Sequence, residues 1–353
     1  MGGPIFGASG KINLAYFDAL KAMAKMCISA KLKKSYLARA ERLRTSIVSH
    51  LWNEESGTMR MSDITPPKGV CQDINAYGIS IGVSPFHSKA ESVLNAPKDA
   101  KLPLAFQGIE RWEGKKVVSP YASGFAAEAL FERNHGVSAI DLIERVWGIM
   151  ADPTNINYSG GHWEAMKPDG TPIHNDTSLM HGWSTWPVYL LPRYLAGLEP
   201  IEPGWTHWQC KPTLAGLETV HVELSTPAGE IKVSLRMEES QGKGQMLMTI
   251  PSGSVAEVFA PEGWIIVTSE KIADVRCLES QIIAGKDENV IIRIIRVHKS
   301  TAMENGKTSD KAHIVATTEE TEKLPVGSLS SPDKQRGRFK HVRFLNRVTR
   351  WIF

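Results

Sequence analysis

The chain has 353 residues, with 41 Lys and Arg residues against 38 Asp and Glu residues and a formal net charge of +3. Hydrophobic residues make up 42% of the sequence and charged residues 22%. These proportions indicate a globular protein of one or two domains and exclude a disordered or collagen-like chain. The sequence also contains no apolar run of the ~18–20 residues that a membrane-spanning helix needs.

Helical periodicity dominates the first 200 residues. Residues 152–176 form a loop rich in Asn, Gly, Pro and Asp, and Ser119-Pro120 is a favourable helix start. Helices are predicted at residues 12–28, 34–52, 73–83, 88–94, 119–133, 137–150 and 177–197, the last of them broken or bent at Pro187 and Pro192.

Beyond residue 212 the pattern changes to the period-two alternation that is typical of β-strands. Residues 217–226 and 230–236 alternate in this way, and the turn Pro227-Ala228-Gly229 between them predicts a hairpin. Short strands with this spacing favour an antiparallel β-sandwich, so the domain boundary is placed near residues 200–212. Further strands are predicted at residues 245–250, 255–259, 263–268 and 290–297.

The C-terminal residues form a segment of different composition. Residues 299–333 are rich in Ser, Thr, Glu, Lys and Gly, which predicts disorder. Seven basic residues and no acidic one lie between residues 334 and 350, so this tail carries +7 and the rest of the chain −4. The net charge therefore does not indicate a nucleic-acid partner for the folded body. An amphipathic segment that binds an anionic surface is the alternative interpretation of the tail.

The cysteines and the N-terminus exclude several further classes of protein. Cys27, Cys71, Cys210 and Cys277 show no C-x-x-C spacing, which favours free thiols over a disulfide, a zinc site or a redox motif. The first ten residues lack the basic and apolar regions of a signal peptide. As it stands the chain is predicted to be cytoplasmic, and an extracellular location stays open if the N-terminus is truncated.

The segment at residues 158–194 concentrates groups that suit sugar chemistry. Aromatic rings stack on the C–H faces of a pyranose, and a carboxylate can exchange a proton at the anomeric centre. The alternative is that Trp163 and Trp183 are core residues and that Glu164 is an acid at a helix N-terminus. The residues of this segment that carry the prediction are His162, Trp163, Glu164, His181, Trp183 and Trp186.

Short motifs along the chain resemble, in order and spacing, the C-terminal half of microbial α-L-rhamnosidases. The resemblance covers about residues 7–297 and implies an inverting glycoside hydrolase with an (α/α)6 barrel followed by a β-sandwich. The motifs are Gln72-Asp73-Ile74-Asn75-Ala76, residues 102–106, Ser119-Pro120-Tyr121, Trp147-Gly148-Ile149-Met150, Gly161-His162-Trp163-Glu164, residues 178–187, and Tyr194-Leu195-Ala196-Gly197-Leu198-Glu199-Pro200.

The resemblance implies the domain organisation and the partner. Residues 1–200 are expected to form part of an (α/α)6 catalytic domain, residues 201–298 a C-terminal β-sandwich, and residues 299–353 a disordered basic tail. The expected partner is a carbohydrate, a rhamnoside substrate, with no nucleic acid and no membrane span. The oligomeric state stays open, and no metal or cofactor is predicted, because the acidic residues near the proposed pocket lack the spacing that specifies a metal.

Roles for individual residues also come from the resemblance. Glu164 would be the general base that activates water, and His181 would lie in the rhamnose pocket. His162 would bind either sugar hydroxyls or backbone groups. The implied binding role is weaker for Asp73, which is as well suited to capping its helix, and for Asn75. The implied pocket walls are Trp163, Trp183 and Trp186.

The sequence departs from the family at the general acid. The family carries this Glu in an Asp-x-x-x-Arg-Asp-Glu segment, and no Arg-Asp-Glu occurs here. Twelve barrel helices need on the order of 200 residues at minimum, whereas about seven helices are predicted here. The chain is therefore expected to start within the barrel and to expose apolar helix faces. It is also expected to lack the general acid, whose loss lowers the rate of hydrolysis by a factor of about 10²–10⁴. The alternatives to a hydrolase are a non-catalytic carbohydrate-binding remnant and a non-functional fragment.

Overall fold

The structure, a computed structural model, divides the chain into two compact units, Met1–Leu190 and Leu191–Phe353. The first unit is mainly helical and the second mainly sheet. No described helix is long and apolar enough to cross a membrane. The described residues are 7–64, 70–83, 102–107, 116–267, 277–278, 280–286, 289–296, 298–300, 303–304, 307–308, 311–313, 341–345 and 350–352.

Helices that pack in pairs build the first unit. The second helix packs against the first, and the fourth packs against both the third and the fifth. The predicted helices at 12–28, 34–52, 73–83, 119–133 and 137–150 are confirmed, and the one at 88–94 lies outside the described residues. The observed helices are α1 (Gly10–Met26), α2 (Ala30–Leu51), α3 (Gln72–Ser80), α4 (Pro120–Glu132), α5 (Gly136–Ala151) and α6 (Trp186–Leu190).

Serine caps fix two of the helix starts. The Ser29 hydroxyl accepts a hydrogen bond from the Leu32 N–H at the start of α2, and the Ser119 hydroxyl accepts one from the Ala122 N–H at the start of α4. Pro120 follows Ser119 at the first helical position, where a missing N–H costs nothing. The start of α4 therefore agrees with the sequence prediction.

The helix predicted at residues 177–197, broken or bent at Pro187 and Pro192, occurs only in short pieces. The structure has a 3₁₀ turn at Gly182–Ser184, the short helix α6, and a π-helical turn at Leu191–Leu195. Pro187 and Pro192 each remove a backbone donor, which prevents a regular helix. Residues 178–184 instead form hydrogen bonds to residues 162–164, far away in sequence.

Apolar side chains from α1, α2 and α3 form one buried cluster. Leu14, Phe17 and Leu20 recur along one face of α1, and Ile47 and Leu51 contribute from α2. The α1–α2 pair also carries exposed large apolar side chains, on the two helices and in the connection between them. These are Ile12, Tyr16, Met23, Met26, Ile28, Leu32 and Leu37.

Short strands complete the first unit. They form two two-stranded antiparallel pairs, β1 with β2 and β3 with β4. Backbone bridges also link Val118 to Met166 and Met166 to Pro172. The strands are β1 (Trp52–Asn53), β2 (Thr58–Met59), β3 (Val70–Cys71) and β4 (Phe106–Gln107).

The second unit contains a four-stranded and an eight-stranded sheet. Their orders are β13-β10-β6-β5 and β12-β11-β14-β9-β8-β7-β19-β20. The Cys210 sulfur on β6 lies 3.9 Å from the Met246 sulfur on β9, so the two sheets touch there. The strands are β5 (Leu198–Pro200), β6 (His207–Cys210), β7 (Thr219–Thr226), β8 (Gly229–Glu238), β9 (Lys243–Thr249), β10 (Val255–Phe259), β11 (Trp264–Val267), β12 (Cys277–Leu278), β13 (Ser280–Ala284), β14 (Asn289–Arg296), β19 (His341–Leu345) and β20 (Arg350–Ile352).

The hairpin of β7 and β8 is confirmed, with Thr226 opposite Gly229 at its turn. The predicted antiparallel pairing holds for most neighbouring strands of the two sheets, whereas β10 pairs with β6, and β19 with β7, in parallel. The chain between β6 and β10 runs through three strands of the other sheet before it returns, so the return direction is not set by a tight turn.

Short strands also occur where the sequence predicted a disordered tail at residues 299–353. β15 (His298–Ser300) pairs with β18 (Lys311–His313), and β16 (Met303–Glu304) pairs with β17 (Lys307–Thr308). Disorder is therefore not what the structure shows for these segments or for β19 and β20. Val and Phe in β19 favour a strand, and the edge of β7 supplies unpaired backbone groups. The other residues of the range lie outside the described residues.

We expect Asn75→Ala to lower the free energy of unfolding by about 3 kcal/mol. Buried Asn75 accepts a hydrogen bond from the Met59 N–H (2.7 Å) and donates to the Cys71 and Met59 carbonyls (2.9 and 3.3 Å). The substitution leaves these buried backbone groups without their hydrogen-bond partner. Urea denaturation measures the change, with the exposed Asn175→Ala as a control of unchanged stability. Equal stability of the two variants would contradict the structural role of Asn75.

Candidate active site

Backbone hydrogen bonds hold residues 162–164 beside residues 178–184. The Glu164 N–H donates to the Ser178 carbonyl (2.8 Å), and the His181 N–H donates to the His162 carbonyl (2.7 Å). The Ser184 hydroxyl donates to the Trp163 carbonyl (2.7 Å). These bonds bring Glu164 and His181 together, although a long irregular loop separates them in sequence.

The carboxylate of Glu164 lies at the surface and is held from both sides. Its side chain is 30% exposed, and Oε2 lies 4.0 Å from Nδ1 of His181. The Ser178 N–H donates to the same oxygen (3.4 Å), and the Trp183 indole N–H donates to the Glu164 carbonyl (3.3 Å). Glu164 lies in no helix, so the alternative of a helix N-terminal acid does not apply.

Aromatic rings continue from Glu164 along the surface. The ring centroids of His181 and Trp183 are 4.3 Å apart, and those of Trp183 and Tyr121 are 5.6 Å apart. We call His181, Trp183 and Tyr121 the aromatic platform. Trp183 is 42% exposed, so part of its side chain is accessible to a ligand. Tyr121 belongs to the Ser119-Pro120-Tyr121 motif, but the sequence alone indicated no role for its side chain.

The other two predicted pocket walls lie deeper. Trp163 is fully buried, so the core alternative holds for it and it presents no ring face at the surface. Trp186 is half-buried and packs edge-on against Phe125, with ring centroids 4.6 Å apart. Trp163 and Trp186 therefore pack beneath the surface of the site, whereas the indole of Trp183 is exposed.

His162 is buried and faces backbone. Its Nδ1 lies 2.8 Å from the Ser184 carbonyl, which can only accept, so Nδ1 carries the proton. The Trp147 indole N–H donates to the same carbonyl (2.7 Å). Burial lowers the pKa of His162 below its ordinary value of 6.5, despite the opposing effect of the Ser184 bond. Of the two roles that the sequence left open, the structure thus shows the contact with backbone.

Asp73 forms an ion pair rather than a helix cap. Its Oδ2 lies 2.8 Å from the Lys11 ammonium, and its Oδ1 accepts from the Cys71 thiol (2.9 Å). Burial, reinforced by the Asp73 charge, raises the pKa of that thiol well above its usual range. The N-cap position of α3 is Cys71, which makes no side-chain cap bond.

Lys11 links Asp73 to the aromatic platform. Its ammonium lies 3.7 Å from the Phe125 ring centroid and 4.8 Å from that of Tyr121, within cation–π range. Sequence reasoning missed Lys11, because no motif surrounds it. Asn75, by contrast, uses its amide on Met59 and Cys71 and is buried away from the surface.

Metal and disulfide chemistry find no support among the residues that the structure describes. No group of three or more His, Cys, Asp or Glu side chains there is placed to hold a metal ion. Cys27, Cys71 and Cys210 are free thiols. The site offers the Glu164 carboxylate, the His181 imidazole, the exposed Trp183 indole and the half-buried Lys11–Asp73 ion pair.

Residues 197–267 match the family described as the bacterial alpha-L-rhamnosidase C-terminal domain. Solved α-L-rhamnosidases also share the fold. The enzyme from Dictyoglumus thermophilum matches with a TM-score of 0.55 and 15% identity over 80% of this chain and 31% of its own. The Aspergillus terreus enzyme matches with a TM-score of 0.51 and 16% identity over 79% and 29%.

The Streptomyces avermitilis α-L-rhamnosidase, solved in complex with L-rhamnose, matches with a TM-score of 0.53 and 14% identity over 81% of this chain and 26% of its own. The chain is similar to the C-terminal portion of an α-L-rhamnosidase. This confirms the resemblance drawn from the sequence motifs. The rhamnosidase-like chain spans between about a quarter and a third of the length of these relatives. A search of curated proteins found no match.

We expect Gly124→Ala to destabilise the rhamnosidase-like chain by about 1–3 kcal/mol, since a Cβ at this position in α4 would overlap the Trp186 indole. Gly148→Ala in α5 is the matched control, because a Cβ there meets nothing within 4 Å. The control is expected to be neutral or stabilising by up to about 1 kcal/mol. Urea denaturation of both variants measures the difference, and equal effects would refute the close contact.

The depressed pKa of His162 predicts a stability loss in mild acid. The unfolded chain takes up a proton on this imidazole near pH 6.5, whereas the folded chain does so only at lower pH. Stability should therefore fall as the pH drops below about 6.5 and level off below the folded pKa. His162→Gln should flatten this part of the profile, whereas His174→Gln, at an exposed position, should not. Unfolding free energies between about pH 7.5 and pH 5 test this, and an unchanged His162→Gln profile contradicts it.

Proposed function

We propose that the chain acts as an α-L-rhamnosidase-type glycoside hydrolase, with Glu164 as the general base of an inverting reaction. The observation that carries the proposal is that Glu164 has a partly exposed carboxylate while its backbone carbonyl accepts a hydrogen bond from the exposed Trp183 indole. The similarity to α-L-rhamnosidases, one of them solved with L-rhamnose, supports the choice of sugar. The proposal assigns the first unit to part of an (α/α)6 ring and the second to a β-sandwich.

The arrangement suits a base that acts on water at a sugar. A partly exposed carboxylate can reach a water molecule beside a bound sugar. The Ser178 N–H and the neighbouring His181 fix the direction in which it points. Trp183 offers an apolar face to the C–H groups of the ring, so the platform would hold the sugar while Glu164 takes a proton from water.

An inverting glycosidase also needs a carboxylic acid about 6.5–9.5 Å from the base. The Arg-Asp-Glu sequence that would carry this acid does not occur in the chain. A leaving group that departs as a stable anion needs no such proton. We therefore propose that the chain cleaves rhamnosides of acidic phenols, such as 2,4-dinitrophenyl α-L-rhamnoside, and is far slower on alkyl rhamnosides.

We expect Glu164→Gln to lower turnover of 2,4-dinitrophenyl α-L-rhamnoside by about 10²–10⁴, because the amide cannot accept the proton of water. Asp176 is an exposed carboxylate in the loop that follows Glu164, so Asp176→Asn is the matched control and should retain activity. Release of the phenolate gives the rate, and nuclear magnetic resonance of the first-formed sugar should show the inverted anomer. Unchanged turnover in Glu164→Gln would remove Glu164 from this role.

A second candidate function is binding of rhamnosides without cleavage. The absence of an Arg-Asp-Glu sequence favours it, since the exposed Trp183 can hold a sugar without a second carboxyl group. Calorimetry with L-rhamnose separates the two functions. Trp183→Ala should weaken binding about tenfold, whereas the exposed Tyr16→Ala should not. Binding without turnover of the activated substrate selects the second function, and no binding contradicts both.

A further inference from the structure

Three apolar side chains protrude where the α1–α2 pair turns. Met26 ends α1, Ile28 lies in the extended connection, and Leu32 lies in the first turn of α2. They are 70%, 102% and 51% exposed, respectively. We call residues 25–34 the hairpin tip. A connection that exposes three large apolar side chains in succession is unfavourable in water unless another surface covers it.

Lysines lie next to these apolar side chains in the sequence. Lys25, Lys31, Lys33 and Lys34 are exposed, and none of them has an ion-pair partner within the part of the chain that the structure describes. The sequence carries six basic residues and no acidic one at positions 19–40. The hairpin tip therefore combines three exposed apolar side chains with four exposed lysines, which we call its rim, and contains no acidic residue.

We propose that the hairpin tip docks on the surface of an anionic lipid bilayer. Met26, Ile28 and Leu32 would enter the boundary between headgroups and acyl chains, where burial of apolar area favours binding. The lysine ammonium groups would stay at the level of the lipid phosphates, because long lysine stems reach outward from a buried apolar body. Membrane contact of this kind needs no spanning helix.

Charge complementarity favours a lipid surface over other occupants. Two copies that met through this tip would place lysines against lysines, because a two-fold contact presents the same patch from both sides. Single-stranded nucleic acid would match the charge, but the tip offers no aromatic ring for base stacking. An anionic bilayer matches both the charge of the rim and the apolar character of its centre.

Vesicle flotation of the full chain tests the proposal. We expect binding to phosphatidylcholine vesicles with about 30 mol% phosphatidylglycerol, no binding to pure phosphatidylcholine, and loss of binding in about 0.5 M salt. The double variant Met26→Glu with Ile28→Glu should lower the partition coefficient at least about tenfold, and so should Lys31→Glu, Lys33→Glu and Lys34→Glu together. Circular dichroism checks that each variant is folded.

Ile156→Glu is the matched control. Ile156 is 97% exposed but has Asn155 and Asn157 beside it instead of lysines, so its variant should bind like the wild type. Equal binding to neutral and anionic vesicles, or full binding by the tip variants, overturns the proposal. Absence of vesicle binding together with a dimer that Ile28→Glu dissociates assigns the tip to a second copy and also overturns it. None of these readouts depends on rhamnoside hydrolysis.

Discussion

The pairing of residues 162–164 with residues 178–184 is the constraint on which the candidate site depends. Its bonds determine the position of Glu164, bring His181 beside the carboxylate, and place the Trp183 indole N–H on the Glu164 carbonyl. The Ser184 carbonyl accepts hydrogen bonds from both Trp147 and His162, and the bond from Trp147 ties the segment to α5. The irregular loop is thereby held by hydrogen bonds, and those that involve Ser184 are buried and costly to break.

The buried aromatic layer explains how an exposed indole can be tolerated. Trp163 fills the core beneath the pairing, and Trp186 lies on α4 where Gly124 leaves room for it. Trp183 then rests on Tyr121 and His181 at the surface. The division of the three indoles between core and surface follows from the direction in which each side chain leaves the backbone. Packing fixes that direction, and composition does not.

Charge shows how a sum over the chain can hide local structure. The net charge of +3 was assigned to the basic tail, which left the body acidic. Residues 10–51 nevertheless carry nine basic residues and two acidic ones, and the helical fold concentrates several of the lysines at one tip. Leu14, Phe17 and Leu20 recur at helical spacing and are buried. The helix predicted at residues 12–28 ends at Met26 in the structure, so Ile28 lies beyond it and faces solvent.

The sequence by itself determined the helices from α1 to α5, the β7–β8 hairpin and the segment that holds Glu164, because these follow from local periodicity, capping residues and short motifs. The tertiary structure alone decided which indole is exposed, that Asp73 pairs with Lys11 instead of capping α3, and that β6 and β10 run in parallel. Each of these depends on contacts between residues far apart along the chain. Such contacts are selected by the packing of whole elements against one another, and a local pattern of residue types carries no record of them.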